Sequence, residues 1–157
     1  MDDVAIGLEV TGLMNSKPSG IGIYIKNLLK SLTKINDNVK LFYKITRIRK
    51  LNNIKKYSNN NLYWHYKNIY NPFNNKIDIV HVTDNTLLNF RGVPKIYTIH
   101  DLAVFKNETQ IQYYISNKHK HRLANILKEN LSKVDAVIAV SKTTKNDLLE
   151  YYDFPYL

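Results

Sequence analysis

Cysteine is missing from this sequence altogether, so neither a disulfide framework nor thiolate-bound zinc can hold the fold, and a reducing compartment suits it. Long apolar runs are missing too, since no segment approaches the roughly 20 apolar residues that a membrane-spanning helix needs. The start, Met1-Asp2-Asp3, is acidic where a secretory signal is basic, and Gly7 and Glu9 interrupt the apolar run behind it. Export is therefore not expected, and the cytoplasm is the expected compartment. Negative charge is absent from one long stretch, with no Asp or Glu between Asp37 and Asp78.

What is present is positive charge. The 157 residues hold 23 Lys and Arg against 13 Asp and Glu, a net charge of +10 that favours polyanionic partners such as anionic lipid or phosphorylated substrates. Lys44, Arg47, Arg49, Lys50, Lys55 and Lys56 all fall in the acid-free stretch. Ile45, Ile48, Leu51 and Ile54 recur among them every third residue, close to the pattern of an amphipathic helix lying on an anionic membrane. Equally, the chain is rich in Lys, Asn, Ile and Tyr throughout, and such a run can be a solvated face. No helix-turn-helix, RNP motif or zinc site accompanies the charge, so nucleic acid is not an expected partner. At 157 residues a single domain is expected, because domains cluster at about 100 to 150 residues.

Strand and helix patterns alternate along the chain. Val4 to Val10 is a short apolar run closed by Thr11-Gly12, as a buried strand would be. Ile21, Ile25, Leu28, Leu29 and Leu32 then recur at helical spacing, with Ser19 placed to cap the helix. Val39 to Ile45, Leu62 to Tyr66, Ile77 to Thr83 and Lys95 to Ile99 read as further strands, with turns at Asn59-Asn60-Asn61 and Asn74-Asn75. A long polar stretch from Glu108 to Lys133 carries an apolar face suited to one helix or two. Ala136 to Val140 is the plainest strand, and Ser141 can cap a last helix that runs through Tyr151 or Tyr152 and stops by Pro155. Continuous apolar strands alternating with helices predict an α/β, Rossmann-like domain, its mostly parallel sheet covered by helices on both faces.

Ligands of such sheets bind outside the carboxyl ends of the strands, which directs attention to the residues just after each one. After the first strand comes Ser19-Gly20-Ile21-Gly22. Glycines there let the backbone approach a phosphate at the start of a helix, though a tight turn would look the same. No Gly-Lys-Ser/Thr follows, and Ile25 stands where a dinucleotide fingerprint needs its third glycine, so neither phosphate-loop motif is present. His100-Asp101 follows Lys95 to Ile99; the pair could meet a sugar hydroxyl and orient one another, or simply form a turn. Asp84-Asn85 could accept hydrogen bonds from an acceptor hydroxyl, and both are also ordinary turn formers. His81, inside its strand, reads as a packed core histidine.

Taken in order, Ser19-Gly20-Ile21-Gly22-Ile23-Tyr24, the helix behind it, Asp78-Ile79-Val80-His81, Thr98-Ile99-His100-Asp101-Leu102 and Asp135-Ala136-Val137-Ile138-Ala139-Val140-Ser141 resemble the N-terminal domain of GT-B enzymes of glycosyltransferase family 4 (group 1). The resemblance implies a retaining transferase that moves a sugar from a nucleotide-sugar donor to a carbohydrate or lipid-linked acceptor, with the acceptor held chiefly by this domain. By position, Gly20 and Gly22 would approach the donor diphosphate, His100 would contact the transferred sugar, and Asp101 would support that loop. The nucleotide-sugar is then a co-substrate, and no cofactor or metal is implied, the leaving diphosphate being stabilised by backbone donors and basic side chains. The family has a second, donor-binding domain beyond the segment that Pro155-Tyr156-Leu157 closes, so this chain is expected to be an incomplete, inactive half. Asn107-Glu108 stands where many relatives have Pro-Glu. The competing expectation is a basic, non-catalytic module that binds a membrane or another polyanion at the inner face of the membrane.

Overall fold

The apolar run near the N-terminus does form the first strand, β1 (Ile6–Glu9), and what flanks it decides what it can bury. The computed structural model describes residues 4–17, 19–57, 62–66, 69–70, 76–84, 92–102 and 117–152. The chain divides into two compact units, Met1–Lys95 and Ile96–Leu157. The Asn59–Asn61 and Asn74–Asn75 turns, Asn85, Asn107-Glu108, Pro155 and the part of the Glu108 to Lys133 stretch ahead of 117 lie outside the described residues.

In the first unit β1 lies between β2 (Val39–Lys44) and β5 (Ile79–Val82), parallel to both, with Leu8 opposite Leu41 on one side and His81 on the other. β3 (Leu62–Tyr66) adds to β2 in parallel, and β4 (Ile69–Tyr70) turns back against β3 as an antiparallel edge, giving the order β4-β3-β2-β1-β5. Neighbouring residues of β2 are buried alternately on its two sides, Leu41 and Tyr43 on one and Lys40 and Phe42 on the other. Burial on both sides is what makes parallel strands read as continuous rather than alternating apolar runs. β1 has no side chain at Gly7, and a Cβ there would come 3.2 Å from the Phe42 ring.

Helix α1 (Gly20–Leu32) begins where the spacing predicted, and Ser19 caps it, its hydroxyl accepting from Gly22 N at 3.2 Å. Ile25 and Leu29 face inward, packing with Leu8, Val10, Met14, Leu41, Tyr43 and Ile54 into one core. Each such side chain taken fully from water contributes roughly 1.5 to 3 kcal/mol before the entropy of ordering the chain is counted. Two 3₁₀ segments, Thr11–Met14 and Ile45–Lys50, carry the chain away from the ends of β1 and β2, and the second runs into the short helix α2 (Asn52–Lys55).

From Ile45 to Lys50 the basic stretch is thus wound at three residues per turn, which matches its three-residue apolar spacing there. That stripe is divided in use. Ile54 is buried in the core and Leu51 packs against it, while Ile48 remains 50% exposed.

In the second unit β6 (Lys95–Ile99), whose first residue closes the first unit, runs parallel to β7 (Ala136–Ala139), with Thr98 opposite Ile138. Helix α3 (Asn117–Leu131) leads to β7, and α4 (Lys142–Tyr151) follows it. Ser141 caps α4 as expected, accepting from Thr144 N at 3.0 Å. Leu148 is the fully buried anchor of that helix. The α/β class with a mostly parallel sheet is what the structure shows.

Candidate functional site

At the carboxyl edge of the first unit's sheet, the chain leaves β1 through a buried carboxylate. Glu9 is 0% exposed, and its Oε1 accepts from the backbone N of Thr11 at 3.0 Å and from the Thr11 hydroxyl. Thr83, just past β5, donates its hydroxyl to the Glu9 carbonyl at 2.6 Å and lies 3.5 Å from Oε2. His65 of β3, also fully buried, brings Nε2 to 3.7 Å from Oε1, beyond hydrogen-bond reach. Thr11 passes the connection on by accepting from Lys44 N at 3.0 Å at the end of β2. Glu9 therefore ties β1 to the end of β5 chiefly through its carbonyl, and to the 3₁₀ segment that carries Gly12 through its carboxylate, which lies against β3. The visible signal in the sequence is a charged residue inside an otherwise apolar strand, because charge is almost never fully buried without partners.

Gly12 and Gly22 hold that segment against α1. A Cβ on Gly22 would stand 3.1 Å from the Gly12 carbonyl oxygen, and one on Gly12 would fall 2.7 Å from Cδ1 of Ile25. Gly20 differs, since a Cβ there would meet nothing within 4 Å. The absence of a side chain at Gly22 thus serves backbone packing, whereas at Gly20 it serves no internal contact. Gly20→Ala should leave stability unchanged or raise it by a few tenths of a kcal/mol, as removing helical glycine does where space permits. Gly22→Ala should instead lower stability by about 1 kcal/mol despite alanine's better helix propensity. Urea unfolding midpoints of the two variants check the contrast; equal shifts would contradict it.

Between the Thr11–Met14 segment, α1 and α2 lies a cavity of about 220 Å³, lined by Gly12, Leu13, Asn15, Ser16, Gly22, Lys26, Asn53, Lys56 and Tyr57. Asn53 ties two of its walls together, donating Nδ2 to the Met14 carbonyl at 2.8 Å. Lys26, Asn53 and Tyr57 were not singled out by the sequence reading, because residues from α1 and α2 meet only once the chain has folded. Of the basic candidates, Arg47, Arg49, Lys55 and Lys56 are exposed and Lys44 and Lys50 half-buried.

The other strand ends fall as follows. Asp84 follows β5 and is half-buried. In the second unit His100 is half-buried and Asp101 exposed directly after β6. The His100 carbonyl accepts from the Thr144 hydroxyl of α4 at 3.2 Å, which fixes the backbone of this turn. Asp78 lies at the opposite, amino edge of the first unit's sheet, where it accepts from Ala5 N at 2.9 Å and pairs with Lys76 at 2.7 Å. Lys76 and the Ala5 N–H hold its carboxyl below the usual range. Nearby, burial lowers the pKa of Lys40, opposed by the charge of Asp78. Both Asp78 and Lys40 therefore serve the fold, not the strand-end chemistry. Among the described residues no group of three His, Cys, Asp or Glu could hold a metal ion.

His81 is buried as the sequence reading expected, and desolvation lowers its pKa from 6.5 to about 4. The unfolded chain takes up this proton below about pH 6.5 and the native state only near pH 4, so stability is full above pH 6.5 and falls as pH drops through that window. The loss should reach about 3 kcal/mol near pH 4. Urea titrations at stepped pH, compared with His81→Gln, check this; an undiminished slope between pH 6.5 and 4 in the variant would contradict it.

Comparison with known families matches the chain to the profile of Glycosyltransferase Family 4 over residues 18–156. Comparison with curated proteins and with solved structures gave no match. The profile spans the chain from the loop ahead of α1 to beyond α4, and so the chain belongs to glycosyltransferase family 4.

Proposed function

We propose that this glycosyltransferase domain is the acceptor side of a retaining, nucleotide-sugar-dependent enzyme, working with a donor-binding domain and inactive without it. The observation that carries the reading is the family match over residues 18–156. An oxygen of a carbohydrate or lipid-linked acceptor forms the new bond to the anomeric carbon while the bond from that carbon to the donor diphosphate breaks, and the acceptor hydroxyl's proton passes to the departing diphosphate. Gly20 suits the approach of the diphosphate, because its missing side chain leaves open space at the first turn of a helix whose N–H groups favour negative charge. Gly22 contributes by holding that turn against Gly12. His100 faces the transferred sugar, Asp101 supports its loop, and Asp84 and Asn85 receive hydrogen bonds from the acceptor.

The product's anomeric configuration tests the retaining assignment. Proton NMR of the first-formed glycoside should show the configuration of the donor; an inverted product would sink the assignment.

A second role is favoured by the exposed cations Arg47, Arg49 and Lys55 around the half-exposed Ile48. They suit peripheral docking on anionic lipid at the inner face of the membrane, where lipid-linked acceptors reside. At about 1 kcal/mol per cation near the surface, replacing Arg47, Arg49 and Lys55 by Gln should cut co-sedimentation with phosphatidylglycerol vesicles at least tenfold. Binding that ignored either anionic lipid or these residues would remove this role.

A further inference from the structure

The cavity between the Thr11–Met14 segment, α1 and α2 has a character that the strand-end residues do not account for. Its volume of about 220 Å³ is that of a site for one compact group, below the roughly 300 to 1,000 Å³ typical of sites for drug-sized ligands. Lys26 and Lys56 bring two positive charges to its wall, and among the described residues no carboxylate lines it. Neither lysine has an ion-pair partner among the described residues, and both are exposed. Lys56 Nζ stands 5.1 Å from the centroid of the Tyr57 ring, which favours keeping the ammonium at the cavity. Lys26 lies beyond the first turn of α1, so the charge here comes from side chains and not from the helix end. Asn15, Ser16 and Asn53 add neutral hydrogen-bonding groups.

We infer that this cavity binds a phosphate group of the acceptor, with Lys26 and Lys56 as its counter-charges. Two ammonium groups match the charge of about −1.5 to −2 on a phosphate monoester better than the single charge of a carboxylate. The cavity carries the phosphate part of the inference, and only the word acceptor rests on the transferase reading. A free sugar phosphate and a lipid phosphate headgroup present the same chemistry to these residues.

Isothermal titration of the 157-residue chain with glucose 1-phosphate, glucose and inorganic phosphate tests it, alongside sedimentation with phosphatidylcholine vesicles with or without phosphatidic acid. Lys26→Gln and Lys56→Gln are compared with Lys30→Gln, an α1 lysine that does not line the cavity. The expected result is binding of glucose 1-phosphate or of phosphatidic acid vesicles, at least tenfold over glucose or plain vesicles. Each cavity variant should lose about tenfold, the size of one charge-assisted contact, and Lys30→Gln should lose nothing. Preference for the soluble ester identifies a sugar phosphate, and preference for the vesicles identifies a headgroup; either supports the site. Absence of phosphate-dependent binding, or binding that Lys26→Gln and Lys56→Gln leave intact, overturns it. Unchanged thermal unfolding of both variants shows that any loss is not a loss of fold. If phosphate binding behaves as expected while no nucleotide-sugar is consumed in the presence of a donor domain, the transferase reading fails and the site stands. If transfer to a phosphorylated acceptor proceeds with an unchanged KM in both variants, the site fails and the transferase reading stands.

Discussion

Glu9→Ala is expected to lower the unfolding free energy by about 4 kcal/mol, near the upper end of single-residue effects. The substitution removes the acceptor for Thr11 N and its hydroxyl, and it leaves the buried ring of His65 without its nearest carboxylate. The half-buried Thr11 N–H and hydroxyl lose their acceptor at about 1 kcal/mol or more each, and the emptied volume adds a cavity cost. Glu9→Gln keeps the volume and one acceptor oxygen, so it should cost roughly half as much. Urea midpoints of the two variants check the order. A loss below about 1 kcal/mol for Glu9→Ala would mean that the Thr11–Met14 segment is held to β1 by something other than this carboxylate.

His100→Ala is expected to reduce sugar transfer by about 10² to 10³ in kcat, the usual consequence of removing a group with the contact to the reacting centre proposed for His100. The backbone of that turn is fixed by Thr144 donating to the His100 carbonyl, a contact the substitution leaves in place. The loss should therefore appear in kcat with the acceptor KM little changed, because the sheet end itself is not displaced. His100→Asn, which retains a hydrogen-bonding side chain, should recover part of the rate. Equal rates for His100→Ala and the parent would remove His100 from the reaction.

The sequence showed most clearly what depends on neighbours along the chain. Lys95 to Ile99 was bounded correctly because Gly92 and Pro94 end the loop before it and His100-Asp101 begin the next turn. Ser19 and Ser141 were legible as caps because a capping hydroxyl satisfies an N–H only three residues on. Contacts made across the fold were not legible. Glu9 and Thr83 are 74 residues apart, and no period or turn signal links them. Strand β4 was missed, being a two-residue antiparallel edge that carries no alternation to detect.

The basic stretch shows a third case. Its three-residue apolar spacing was visible, but that spacing fits a 3₁₀ segment running into a short helix that enters the core through Ile54 as well as a helix lying on a membrane. Likewise Ser19-Gly20-Ile21-Gly22 looked like one glycine-rich loop, and only three-dimensional proximity to Gly12 separates the packing glycine from the open one. The strand-end residues were singled out by a rule about parallel sheets, whereas the cavity of Lys26 and Lys56 arises where the Thr11–Met14 segment, α1 and α2 come together.

The most direct test of the proposed division of labour is a sugar-transfer assay on the 157-residue chain, alone and combined with a donor-side domain of a family 4 enzyme, across a panel of nucleotide-sugars. The account predicts no turnover by the chain alone and nucleotide-sugar-dependent transfer when the donor-side domain is present. Transfer at ordinary enzymatic rates by the 157 residues alone would contradict it.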